Sequence, residues 1–149
     1  MPMSPRPRNK TVAAWLGFLG GPFGLHRFYL RGGSDPLGWL LMLPTALGLY
    51  GVHRARTLGL DDRWSWLLIP FLGLVVSGCA LTAIVYALRT PEQWNRRFNP
   101  GLAEDAVPGR TGWLTVFAIV AALMVGAGVL MATLAFSFEH YFDLQQETR

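Results

Sequence analysis

The chain has 149 residues, 52% of them hydrophobic and only 15% charged, where an ordinary soluble domain carries about 25% charge. So little charge excludes a conventionally solvated surface and favours one domain held in lipid. The formal net charge of +4 comes from basic residues scattered between apolar runs, not gathered on a basic helix or an aromatic-basic array, which excludes nucleic acid as a partner and suits phosphate headgroups.

Residues 1–10 (MPMSPRPRNK) are Pro-rich and basic and read as a disordered cytoplasmic tail. Segment A runs from Thr11 to about Leu25 and has the look of a signal-peptide core. Gly20-Gly21-Pro22 follows where a small-residue cleavage site would stand, so the segment is read as retained. Its fifteen residues rise about 22 Å, short of the roughly 30 Å hydrocarbon core. Pro22 has no backbone N–H, so a break is expected near Gly20–Gly24, with the freed backbone groups satisfied by protein or water.

Segment B, about Pro36 to Val52, contains Pro44 as an expected kink. Segment C, Trp64 to Leu88, is uncharged and carries Pro70 near its start. Segment D, Trp113 to Phe138, is twenty-six residues without a charge. C and D each exceed the length a crossing needs, and A and B read as a tight hairpin. The expected fold is an all-α integral membrane protein with four transmembrane helices in two helical hairpins. The second hairpin covers 64–138 around a Pro/Gly-rich loop at 89–111, and 139–149 is a polar tail. Trp64, Trp66, Tyr86 and Trp113 sit at segment ends, where aromatic rings prefer the headgroup level. No repeat of fixed period stands out.

Four crossings put seven basic residues on one side and six on the other, which does not orient the chain. The first helix has three positive charges and no acid before it, so both termini are expected in the cytoplasm. Cys79 lies alone inside an apolar run, where it reads as a small buried side chain.

From Lys10 to about Leu74 the chain resembles the TM2 domain family. The residues that carry the likeness are Lys10, Phe18-Leu19-Gly20, Gly21, Gly24 and the string His26-Arg27-Phe28-Tyr29-Leu30. Two positions depart from the family pattern. Arg31 stands where the family usually has Gly directly after the Leu, and His53-Arg54 stand where it often has Asp near the end of the second helix. The resemblance implies a bacterial inner-membrane protein, multi-pass, with a TM2-like hairpin and the start of a third helix over 11–74. The family's activity is largely undefined, so what it implies is location and fold.

His26 and Arg27 are the foremost candidates for a site, because charge held at or inside a membrane is costly. Three readings compete. Arg27 snorkels to phosphates while Phe28 and Tyr29 anchor at the interface; Arg27 donates to carbonyls freed by the Gly20–Gly24 break; or the pair binds a ligand or partner. Anchoring or structure is favoured. Gly17 and Gly21, Gly20 and Gly24, and Ala118, Ala122 and Gly126 recur at four-residue spacing, as do Gly73 and Ser77, and such stripes let helix backbones approach. The stretch Trp94 to Pro100 mixes aromatics with Arg and reads either as an interfacial segment on anionic headgroups, which is favoured, or as a plain linker.

His26, His53 and His140 have no metal-site spacing, and no nucleotide, hydrolase or paired-carboxylate motif is present. No cofactor, metal or catalytic residue is therefore expected. The expected function is a non-enzymatic scaffold or module that binds helices or lipids, with the lipid bilayer as partner and a homo-oligomer left open. The alternative is an oligomeric pore or small-solute channel using the Gly20–Gly24 break and His26-Arg27.

Overall fold

The computed structural model describes residues 6–148, and every regular element among them is helical. Helix α1 (Lys10–Gly20) starts where the Asn9 side chain accepts from Thr11 N at 2.9 Å and Val12 N at 3.3 Å, pairing two donors that a helix start leaves free. It stops after eleven residues. Gly21–Phe23 tighten into a 3-10 turn around Pro22, and Gly24 turns the chain at φ 71°. A side chain strains that left-handed backbone, and a Cβ here would also sit 2.4 Å from the Gly38 carbonyl oxygen.

The short helix α2 (Leu25–Arg31) then runs back beside α1. Its return is pinned at the base, where the Tyr29 hydroxyl accepts from Asn9 N at 2.9 Å and Leu30 packs with Ala13 and Trp94. Segment A is therefore half of a fold-back hairpin, not a crossing.

Gly32 (φ 92°) ends α2, and α3 (Pro36–Leu58) follows with Pro36 in its first turn, where a missing N–H costs nothing. After Gly59 (φ 99°) the chain reverses into α4 (Arg63–Leu88), capped by Asp62. Helix α5 (Pro91–Phe98) opens on a Thr90/Gln93 capping box, and α6 (Trp113–Glu147) completes the chain.

Helix α4 is the central post. Gly48 and Gly51 of α3 lie on Leu72 and Leu68, where added Cβ atoms would come within 2.4 and 2.6 Å. On α6, Gly126 faces Ala80 and Thr133 faces Gly73. Gly17 of α1 and Gly21 of the turn after it face Ala83 and Cys79. Buried alanines fill the seams, with Ala14, Ala87 and Ala118 in one cluster and Ala80, Ala83 and Ala122 in the next. The bulky apolar side chains point outward instead: Leu81, Phe117, Met124 and Met131 are each more than 60% exposed.

Two helices, α4 and α6, are long and apolar enough to cross a membrane, not four. The expected pair of hairpins is corrected at its first half: α1 spans about 16 Å (eleven residues) before the turn, and α2 is shorter still. Helix α6 also runs past Phe138 to Glu147, so most of the expected polar tail is helical. Lys10 belongs to α1 rather than to a tail, while residues 1–5 and Arg149 lie outside the described residues.

Lys10 bonds at the Arg89 end of α4, whereas Glu147 pairs with Arg63 at the opposite end. The described ends of the chain are thus at opposite ends of the bundle. The expectation of both termini in the cytoplasm rested on four crossings, where two helices among the described residues are long and apolar enough.

Gly21→Val is expected to lower stability by about 1–3 kcal/mol through overpacking against Cys79, read as earlier unfolding in detergent. Gly128→Val, where a Cβ meets nothing within 4 Å, should leave the transition in place.

Candidate functional site

The base of the α1–α2 hairpin is sealed by polar groups drawn from distant parts of the chain. Lys10 is fully buried, and its Nζ donates to the Arg89 carbonyl at 2.8 Å and to Thr111 Oγ1 at 2.6 Å. A buried ammonium needs such partners, because desolvation otherwise removes its charge. Thr11 and Thr115 share a hydroxyl hydrogen bond of 2.7 Å, and Trp15 Nε1 donates to the Leu114 carbonyl at 3.1 Å.

The loop between α4 and α6 completes the seal. Trp94 and Asn95 are buried, and Trp94 Nε1 donates to the Arg8 carbonyl at 2.8 Å. Asn99 clasps the same residue twice, accepting from Arg8 N at 2.6 Å and donating to its carbonyl at 3.0 Å. Asn95 Nδ2 holds the loop's own carbonyls at Glu104 (2.9 Å) and Ala106 (3.0 Å). The stretch from Trp94 to Pro100 packs onto the bundle as a plug through Trp94, Asn95 and Asn99, while both of its charged residues, Arg96 and Arg97, face outward.

Above this base stand His26 and Arg27. The Arg27 Nε donates to Asp35 Oδ2 at 2.5 Å, across the Gly32–Gly33 turn that joins α2 to α3. Asp35 is a residue that the sequence reading missed. The guanidinium beside it holds its carboxyl below the ordinary value, chiefly through this hydrogen bond. Phe28 packs on Gly38 and lies 5.3 Å from the Trp39 ring, and Arg8 sits over the Tyr29 ring at 5.7 Å.

The same device recurs 27 positions on, at the turn joining α3 to α4. Gly21, Gly24, His26, Arg27, Gly32, Asp35 and Trp39 correspond to Gly48, Gly51, His53, Arg54, Gly59, Asp62 and Trp66. The geometry repeats with the residues. Gly32 N donates to Phe28 O at 2.9 Å and Gly59 N to Ala55 O at 3.1 Å. Trp39 Nε1 donates to Gly33 O at 2.9 Å and Trp66 Nε1 to Leu60 O at 2.6 Å. No fixed repeat stood out in the sequence because only the hinge residues match, while the apolar fillers between them differ.

The two copies differ at the arginine. Arg54 binds Asp62 side-on, Nε at 2.9 Å and Nη2 at 2.8 Å, and its Nη1 reaches the Tyr50 hydroxyl at 3.4 Å. Asp62 also accepts from Ser65 N at 3.1 Å and Ser65 Oγ at 2.5 Å. Arg54 and Ser65 together hold the Asp62 carboxyl far below the usual carboxylate range. Arg27, by contrast, leaves Nη2 buried with no hydrogen-bond partner among the described residues, and the buried His26 leaves Nδ1 in the same state. Gly38 occupies the position matching Ser65, so Asp35 lacks the hydroxyl that supports Asp62.

A cleft of about 460 Å³ opens beside this pair between α3 and α4. His26 and Arg27 form its polar end, and Leu40, Phe71, Leu74 and Gly78 belong to its apolar walls. The other sequence candidates lie elsewhere in the fold. Gly20 and Gly24 form the turn itself, Gly17 and Gly21 the α1–α4 seam, and Ala118, Ala122 and Gly126 the buried face of α6. Among the described residues, no three His, Cys, Asp or Glu side chains converge as a metal site. No family model, no curated protein and no solved structure matches the chain.

The depressed Asp62 carboxyl sets a pH window. A carboxylate lowered in the folded state contributes stability that is present above its unfolded value of about 3.9 and lost as pH falls through the folded value. Thermal stability in detergent should therefore be level from neutral pH to about pH 4 and decline below it, and Asp62→Asn should lower the neutral plateau while flattening that decline. An unchanged acid limb in the variant would remove Asp62 from the account.

Proposed function

We propose that the chain is a small multi-pass membrane protein with three crossings, α3, α4 and α6, and a re-entrant α1–α2 hairpin. It acts as a non-catalytic module that engages lipids or other membrane helices. The observation that carries this reading is the outward-facing apolar surface around a bundle whose polar groups collect at its two ends. In water that surface would drive aggregation, whereas in lipid it is solvated. Helix α3 is the least apolar of the three: its charge-free stretch from Pro36 to Val52 rises about 25 Å, near the lower limit for a crossing, and Arg54 and Arg56 in its last turns extend towards the headgroups.

Re-entry also sorts the basic residues. Arg6, Arg8, Lys10, Arg27, Arg31, Arg89, Arg96, Arg97 and Arg110 fall at the Leu88 end of α4, and only Arg54, Arg56 and Arg63 among the described residues fall at the other. The positive-inside rule then puts the Lys10 end in the cytoplasm and the Glu147 end outside. The TM2-like residues of the hairpin favour a bacterial inner membrane as the setting.

A pore lacks a polar path. Ser77, Thr82 and Thr133 each bond back to a carbonyl of their own helix, and alanine and glycine fill the α4–α6 seam.

Single cysteines in a Cys79→Ser background test the topology. Ser34 and Ala103 should label from the cytoplasmic side, and Thr57 and Thr148 from the outside. Labelling of Ser34 from outside would mean that α1 crosses and would overturn the re-entrant hairpin.

A further inference from the structure

We propose that the cleft beside His26 and Arg27 holds the phosphodiester head of an anionic bilayer phospholipid, with an acyl chain lying along α3 and α4. The inference rests on the membrane reading above and adds a ligand and a site to it. The internal repeat supplies the first argument. In the second copy the three guanidinium nitrogens of Arg54 all have partners, and Asp62 has Ser65 besides. In the first copy the fork is only half used: Arg27 Nε binds Asp35, while Nη2 and the neighbouring His26 Nδ1 are buried without partners. Burying such groups unpaired is costly, and a planar guanidinium with a free nitrogen matches a phosphate oxygen in shape and charge.

The surroundings define the rest of the ligand. His26 is 2% exposed, and it and Arg27 line one end of a cleft whose other walls are apolar. A Cβ added at Gly78 would meet nothing within 4 Å, so this wall stands open along α4. Leu40 and Leu74 are more than half exposed, so the groove faces sideways, where an acyl chain would enter. Asp35 directly precedes α3, which puts Arg27 at the edge of the apolar band on the basic side of the protein, at headgroup depth. An apolar helix docked in the groove would leave both nitrogens unpaired, whereas a phospholipid brings an acceptor for Arg27 to the polar end and an acyl chain to the walls.

The test uses the full chain in phosphatidylcholine nanodiscs doped with phosphatidylglycerol, with lipid retained on the released protein counted by native mass spectrometry. The wild type is expected to keep phosphatidylglycerol over phosphatidylcholine. Arg27→Gln, which removes the head contact, and Gly78→Leu, which fills the groove without touching it, should each cut that retention about tenfold. Arg54→Gln should leave it unchanged. Equal retention of both lipids by the wild type, or full retention in both cleft variants, would overturn the proposal. So would retention that survives Gly78→Leu but is displaced by inorganic phosphate, which marks a site for a free anion. A chain that never enters the nanodisc sinks the membrane reading with it, whereas an integrated chain without lipid preference sinks this inference alone.

Discussion

A helix that stops halfway across an apolar layer must find partners for the backbone groups it frees, and the α1–α2 turn finds them inside the fold. Pro22 brings no donor to the break, and its carbonyl accepts from Thr45 Oγ1 at 2.8 Å. Gly24 N donates to Gly21 O at 2.8 Å, and Gly24 O then accepts from Arg27 N and Phe28 N as α2 begins. The turn lies opposite Cys79, nine residues short of Leu88 and so about 14 Å in from that end of α4. With these groups satisfied the chain can turn back, and the return leaves the described ends of the chain at opposite ends of the bundle. The same return brings Arg27 and Arg31 to the end of the bundle that already holds Lys10 and Arg89.

The same turn explains the polar base. Folding back brings the start of α1, the end of α2, the end of α4 and the start of α6 to one level, where four sets of end groups compete for partners. Lys10 answers with one buried ammonium bonded to Arg89 and Thr111, and the plug of Trp94, Asn95 and Asn99 closes over Arg8. Trp94 meets Tyr86 edge-on at 5.9 Å and Phe98 at 4.5 Å between ring centroids, and packs on Ala13 and Leu30, so the plug is apolar where it meets the hairpin and polar where it meets the chain. The loop from 89 to 111 is a structural part of the hairpin rather than a linker.

Two copies of one hinge stand at opposite ends of the bundle. Each needs a glycine that can take positive φ, an arginine reaching eight residues ahead to the aspartate that begins the next helix, and a tryptophan that closes the turn. Only the second copy is closed on itself. In the first, Gly38 replaces the serine, because Phe28 and the Gly24 backbone pack against α3 there with no room for a side chain. The aspartate loses a donor, the arginine keeps one spare, and a self-contained turn becomes an edge with unmatched donors.

Much of this was legible in the residue order. The length of α4, the starts of α3 and α6 and the break at Gly20–Gly24 follow from local chemistry, whereas α3 runs on past Val52 to Leu58 and α6 past Phe138 to Glu147 through polar residues that the apolar runs did not include. The His26-Arg27 pair stood out because charge is rare near apolar runs. Its partner Asp35 did not, since an ion pair across a turn leaves no periodic trace. The small-residue stripes at Gly17, Gly21, Ala118, Ala122 and Gly126 marked close approach without naming the partner helix, which the fold places on α4. What the sequence alone determined was therefore where the long helices start, where the first one breaks and which faces tolerate contact. Only the tertiary structure decided that the chain turns back after Gly24, because a glycine permits either direction and the choice belongs to the distant groups, Thr45, Tyr29 and Trp94, that meet it.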